Sequence, residues 1–467
     1  MSLTHKKDCT RAILFMYYYV HFHCLHIFVK GNISPIICFF VTLRPQEHTL
    51  KTMKRIFVTI IATAAMFTSC SSFVAIERGE HQRSDSALIE YIRSEEIPLS
   101  HNNSVKMLDN AQEKFDSLFS DIRRAKHHIH LEYFNFRNDS INKVLIELLA
   151  SKVKEGVEVR AMFDAFGNMS NDRPLKKKDL EAIRAQGIEI IKFDPITFPW
   201  INHGYSRDHR KIVVIDGKIG YIGGINVADY YLNGIEGVGH WRDIHSKVEG
   251  AAVNDLQRIF LDMWNEESGQ EIDGEVYFPT NGKHGDTDIA VVDRWPYRTP
   301  KRMRRAYANA IHAAKDSISI VNPYFIPMPI ILKAIDKALE DSVEVNIILS
   351  EKGDIPMIPD GVWRIGYRLM KKGANVYMYT GGFNHAKVMS VDGKYGTVGS
   401  TNLNSRSLTY DYETNIFIFG EGDTEELHAL IEQDKAQSYL LTKEKYKQRS
   451  CWRRFCGWLV TLVTPFM

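Results

Sequence analysis

The chain has 467 residues, 44% hydrophobic and 25% charged, an ordinary globular composition that excludes a disordered or fibrous protein. Its formal net charge of +2 conceals an N-terminal excess: residues 1–52 carry six basic residues against Asp8 and Glu47, which leaves −2 from Met53 onward. That balance excludes a bulk basic field for nucleic acid, though not a local basic cleft.

Residues 12–29 are apolar enough to resemble a membrane span, although His21, His23 and His26 would sit inside it. The apolar run from Ile33 to Leu43 is too short to cross a bilayer as one helix. Then comes MKRIFVTIIATAAMFTSCSS, in which Met53 and two basic residues precede a twelve-residue apolar run and small residues before Cys70. This is the layout of a secretory signal, and FTSC resembles a bacterial lipoprotein cleavage box. We therefore read 53–70 as a lipoprotein-type signal with Cys70 as lipid attachment site, which would face the protein toward the periplasm. Residues 1–52 are then a doubtful extension. The alternative is anchoring in the inner membrane by an N-terminal helical hairpin. Beyond Cys70 only Cys451 and Cys456 remain, too few for a zinc site or a disulfide framework, although a bridge between them is permitted.

After a polar linker at 71–100 the chain is written twice. AKHHIHLEYF at Ala125 has a partner in AKDSISIVNPYF at Ala314, each alternating apolar residues in strand fashion. VLIELLASKVKEGVEVRAMFD recurs 186 residues later as IILKAIDKALEDSVEVNIILS, a helix leading into a strand. Gly187 and Gly373, also 186 apart, suit helix C-termini. This duplicated alternation of strand and helix predicts an α/β fold of two homologous α/β-sandwich halves, 101–275 and 276–440. Each has a central mixed sheet flanked by helices. An amphipathic tail, 441–467, follows.

The third repeat carries the chemistry. DHRKIVVIDGKIGYIGGIN at Asp208 matches NHAKVMSVDGKYGTVGSTN at Asn384, with His209 and His385 now 176 apart. His209 and Lys211 share one strand face, as do His385 and Lys387. Asp216-Gly217 and Asp392-Gly393 are the dipeptides of two-residue hairpin turns, so both aspartates have a structural reading beside a catalytic one. Gly223, Gly224, Gly399 and Ser400 are small enough for close approach of a ligand. Asn226 and Asn402 follow, either to donate to a phosphate oxygen or to cap a helix. If the halves meet about a pseudo-twofold, two imidazoles, two ammonium groups and two amides converge on one pocket at their interface.

That inventory suits attack on a phosphodiester. Lys211 and Lys387 would bind the phosphate and stabilise the crowded transition state. One neutral histidine would attack phosphorus, and the other, protonated, would serve the departing alkoxide. No metal and no cofactor is expected, because the lysines carry the charge. The HHIH run at His127 places His128 and His130 on one strand face without a completing carboxylate or cysteine cluster, and reads as structural.

HRKIVVID and HAKVMSVD both fit the His-x-Lys-x4-Asp signature of the phospholipase D superfamily, which this chain resembles. SRDHRK, GGINVADYY, HWRD, NPYFIP and GSTNLNSRS are similar to bacterial cardiolipin synthases in particular, and the likeness runs from about Ala111 to Gly420. The resemblance implies that His209 is the nucleophile and His385 the general acid/base. It also implies that Asp216 and Asp392 belong to the catalytic motif, and that a carboxylate from the opposite half backs each histidine, Glu413 for His209 and Asp243 for His385. The implied activity is phosphatidyl transfer from one phosphatidylglycerol to another through a phosphohistidine, with release of glycerol. The implied partners are anionic phospholipid and a membrane surface, with no nucleic acid. The alternatives are a phospholipase D that hydrolyses to phosphatidic acid, a nucleic-acid phosphodiesterase, and a degenerate lipid-binding relative. Two apolar features favour lipid: Phe198, Pro199 and Trp200 ahead of the first motif, and the tail CWRRFCGWLVTLVTPFM, which could lie on an anionic surface.

Overall fold

A computed structural model describes residues 87–196 and 206–463. The expectations for residues 1–86, including the signal and Cys70, lie outside the described residues, as do those for Phe198, Pro199 and Trp200.

The first half contributes β1 (Leu99–Leu108), β2 (His128–Tyr133), β3 (Glu158–Asp164), β4 (Glu189–Phe193), β5 (Lys211–Ile215), β6 (Ile219–Gly223), the short β7 (Trp241–Arg242) and β8 (His245–Glu249). The second contributes β9 (Thr287–Arg294), β10 (Ser317–Val321), β11 (Glu344–Ser350), β12 (Asn375–Tyr379), the short β13 (Phe383–Asn384), β14 (Val388–Val391), β15 (Tyr395–Gly399), β16 (Glu413–Phe419) and β17 (Ser438–Leu440). Fifteen of them form one mixed sheet in the order β17-β12-β11-β10-β14-β15-β16-β9-β1-β8-β6-β5-β2-β3-β4. Outward from the antiparallel β9–β1 pair the two directions mirror each other, apart from the extra edge strand β17. The duplication therefore becomes a pseudo-twofold through that pair.

Local chemistry explains the elements. The helix Ala111–Arg124 is capped by Asn110, whose side chain accepts from Glu113 N, and buries Phe115, Leu118, Phe119 and Ile122 at helical spacing. Gly187 and Gly373, with φ of 85° and 107°, take the left-handed conformation after their helices, where a side chain would be strained. Alternating residues of the central strands serve different cores: Val213 and Ile215 face the first half's helices, whereas Ile212 and Val214 join Ile289, Val388, Val398 and Ile416 in a core drawn from both halves. That shared apolar layer locks the two motif strands into one frame.

Residues 87–100 depart from the linker expectation. The helix Ala87–Ser94 buries Leu88, Tyr91 and Ile92 in the second half's core, and Tyr91 donates to Arg302 O at 2.9 Å. The run ALIEYIRS holds five apolar residues at helical spacing, a short amphipathic signal inside a segment read as linker. No disulfide joins Cys451 and Cys456, which lie exposed and buried, respectively, on the same helix.

Candidate active site

Both histidines sit just before a motif strand, and the backbone of the opposite half pins each. His209 N donates to Tyr412 O at 3.0 Å, and His385 N donates to Arg242 O at 2.6 Å. Tyr412 and Arg242 immediately precede Glu413 and Asp243, so each pin delivers a carboxylate to a histidine across the pseudo-twofold. His209 Nδ1 lies 3.0 Å from Glu413 Oε1, and His385 Nδ1 lies 2.7 Å from Asp243 Oδ2. With Nδ1 committed to a carboxylate, Nε2 is the nitrogen left for chemistry on each ring.

The lysines complete the pattern. Lys211 Nζ donates to His209 O at 2.5 Å, and Lys387 Nζ donates to His385 O while lying 3.0 Å from His385 Nδ1. Aromatic rings wall the site: Phe134 meets the His209 ring edge-on at 5.1 Å, and Trp241, Tyr231 and Tyr324 lie within 6.1 Å of the His385 ring.

Burial and mutual charge shape the protonation states. Burial holds both imidazoles well below the ordinary histidine value, helped by the ammonium groups of both lysines. The same burial lowers Lys211 to about 7 and Lys387 to about 8, and each lysine is further influenced by the opposite half's carboxylate. It raises Glu413 to about 7 and Asp243 to about 6. Since each group feels charges from both motifs, the two halves share one electrostatic site. Its protons are held by groups titrating near neutrality, as acid–base chemistry requires.

Asp216 and Asp392 are not brought to this pocket. Each occupies the far end of its strand with φ near 55°, ahead of a positive-φ glycine in a two-residue turn. Asp216 accepts from the backbone N–H groups of Lys126, His127 and His128 at 2.8–3.0 Å, and Asp392 from those of Lys315, Asp316 and Ser317 at 2.7–2.8 Å. They tie the hairpins to the starts of β2 and β10. The catalytic assignment is replaced by this structural one, because five residues of strand, roughly 16 Å, separate Asp216 from Lys211.

The asparagines also divide. Asn226 accepts from Asn135 N at 3.3 Å and donates to Tyr231 Oη at 3.1 Å, so its amide is engaged by protein. Asn402 Oδ1 is buried without a hydrogen-bond partner among the described residues. Neither caps a helix; Asn404 does, accepting from Ser407 N at 2.9 Å.

The small residues serve a purpose other than ligand approach. A Cβ on Gly224 would lie 2.2 Å from Asp243 Oδ1, and its counterpart Ser400 donates through Oγ to Glu413. This position seats the carboxylate in each half. Gly224→Ala is therefore expected to displace Asp243 and lower kcat by about 10²-fold. Steady-state kinetics beside a thermal melt would separate that loss from unfolding.

Sequence reasoning missed the charges behind His209. Arg210 is fully buried, donating to Asp293 Oδ1 at 2.6 and 2.9 Å and to Glu132 Oε1 at 3.3 Å. Asp208 and Glu132 face each other beside it, both raised by burial, Asp208 to about 6. The equivalents behind His385 are Asn384, Ala386 and Val321, all uncharged. The available signal was that the two copies differ in charge at three matched positions, Asp208 against Asn384, Arg210 against Ala386 and Glu132 against Val321. The HHIH run is structural: His130 pairs with Gln257 at 2.8 Å and stacks on Phe260 at 4.5 Å, and burial lowers His128 to about 4.

A family model described as cardiolipin synthase, phospholipase D-like domain, matches residues 118–264 and 307–435, one block in each half. The chain belongs to this family. It is 36% identical over 372 residues to a cardiolipin synthase of Listeria monocytogenes, spanning 79% of this chain and 76% of that one. It is equally similar to cardiolipin synthase 2 of Staphylococcus epidermidis, spanning 79% and 75%. The phosphatidylserine synthase of Haemophilus influenzae shares the fold, with a TM-score of 0.63 at 15% identity over 81% of this chain and all of that one.

Proposed function

We propose that this protein is a phosphatidyltransferase of the cardiolipin synthase type, acting at a membrane surface on phosphatidylglycerol. The observation that carries the reading is the pair of histidine–carboxylate contacts made across the two halves, each flanked by its motif lysine. Lys211 and Lys387 bind the diester phosphate, whose charge favours their ammonium forms and the protonated form of His385. His209 Nε2 attacks phosphorus, and the bond to the departing glycerol oxygen breaks as His385 Nε2 hands that oxygen a proton. The phosphatidyl group then rests on His209, whose positive ring faces Glu413. A second phosphatidylglycerol gives its hydroxyl proton to His385, its oxygen attacks phosphorus, and His209 is released. Asp243 steadies the His385 imidazolium before the first step and after the second, and holds the neutral ring in place between them.

The pH profile follows from the same groups. The transfer needs charged lysines, and in the free protein Lys211 and Lys387 lose their protons through about 7 and about 8. We expect kcat/KM to fall on the alkaline side of that window, while kcat keeps its plateau to higher pH because bound phosphate holds the protons on. Measuring both parameters from pH 5 to 10 checks this.

Lipid mass spectrometry of the purified protein with phosphatidylglycerol vesicles and a chelator tests the function. Cardiolipin with released glycerol supports the transferase. Phosphatidic acid without cardiolipin would make water the acceptor and the protein a phospholipase D. Turnover of neither product would send the search to other headgroups and then to nucleic acid.

A further inference from the structure

The helix Cys451–Leu462 has two unlike faces. Cys456, Gly457 and Val460 are buried against the helix Ile358–Met370, where Gly457 and Gly361 permit backbone-close packing. On the opposite side Trp452, Phe455, Trp458 and Leu462 are 62%, 45%, 41% and 41% exposed, a continuous stripe among the described residues. The rings form one surface, with Trp452–Phe455 and Phe455–Trp458 centroids each 5.7 Å apart. Among the described residues the other exposed large ring, Tyr297, stands alone, whereas this stripe is contiguous and calls for an apolar partner.

Charge says which partner. From Lys445 to Met467 the chain has five cationic residues, Lys445, Lys447, Arg449, Arg453 and Arg454, and no acidic one. Arg449 is turned inward to Asp360 and lies over Trp363; Arg453 also reaches Asp360, at 3.6 Å, but stays 60% exposed beside the stripe. Tryptophans and a leucine on one face with basic residues at its border are the composition of a helix lying in the interface of an anionic bilayer. The helix is too short to span one.

Position ties the helix to the site. A Cβ on Gly361 would touch Val460 on one side and Ile326 on the other. Ile326 is two residues beyond Tyr324, whose ring lies 6.0 Å from that of His385. We propose that the Cys451–Leu462 helix docks the protein on anionic bilayers, embedding Trp452, Phe455, Trp458 and Leu462 and so holding the His385 side of the site near lipid. The docking itself does not depend on the transferase reading; its effect on turnover does.

Hydrogen exchange of the full chain tests the docking by its location, independently of any attachment elsewhere. Vesicles of phosphatidylglycerol and phosphatidylcholine are expected to slow exchange across 451–462, and pure phosphatidylcholine vesicles to do so far less. In the Trp452→Glu/Trp458→Glu variant, whose changes fall on exposed positions, that protection should vanish. Turnover on vesicles should drop by about tenfold or more while turnover of detergent-dispersed lipid stays unchanged. Unaltered exchange at 451–462 on anionic vesicles would overturn the proposal. Equal protection by neutral vesicles would overturn the role of charge, and protection that grows with protein concentration without lipid would assign the stripe to a second copy. If no lipid is turned over in either format, the transferase reading fails and the exchange result still decides the docking.

Discussion

His209→Ala is expected to abolish the covalent intermediate and reduce phosphatidyl transfer by at least about 10⁴-fold. The reason is geometric: Glu413 occupies Nδ1, and the ring is the first motif's one group placed to attack phosphorus through Nε2. Acid quenching after mixing with donor labelled in its phosphate should trap label on His209 in the unaltered protein and none in the variant. His385→Ala should slow both steps, because the leaving oxygen then departs unprotonated and the acceptor hydroxyl has no base. Label recovered on His385 would exchange the two roles, and turnover by His209→Ala at an undiminished rate would refute covalent catalysis altogether.

Arg210→Ala is the second large effect, and it falls on stability. The guanidinium is wholly buried between Glu132, Asp208 and Asp293. Removing it leaves buried carboxylates with no cation, at a cost of about 3–5 kcal/mol. Replacing Glu132→Val, Asp208→Asn and Arg210→Ala together, the second half's own residues at these positions, should recover part of that loss, since only the partly exposed Asp293 then keeps a charge without its cation. Urea unfolding of both variants measures the difference. A triple variant no more stable than the single one would show that the network stabilises by itself instead of merely avoiding its own penalty. Any change in the pH–rate profile of a folded triple variant would report how far these charges set the proton affinity of His209, whose strand they back.

Much of this was legible before any fold was known. The spacing of 186 residues between repeated helices and strands announced two like halves, and a doubled His-x-Lys at strand starts had no folding explanation. The partner carboxylates were another matter. Glu413 lies 204 residues from His209, and Asp243 lies 142 from His385. No periodicity links such positions, and they were named through resemblance alone. Asp216 and Asp392 show the opposite limit: a motif records which residues recur, not whether each recurs for chemistry or for holding a turn.

By itself the sequence determined most local elements, the duplication and the two histidines and two lysines proposed to handle phosphate, because these follow from side-chain period and residue type within short windows. Tertiary structure alone decided which carboxylate meets which histidine, that Gly224 and Ser400 seat those carboxylates, and that Arg210 is buried beside Glu132 and Asp208, carboxylates whose counterpart positions in the second half are uncharged. It also decided which face of the last helix is left to solvent. The reason is that burial and pairing across a pseudo-twofold are properties of two surfaces brought together, and neither surface alone contains them.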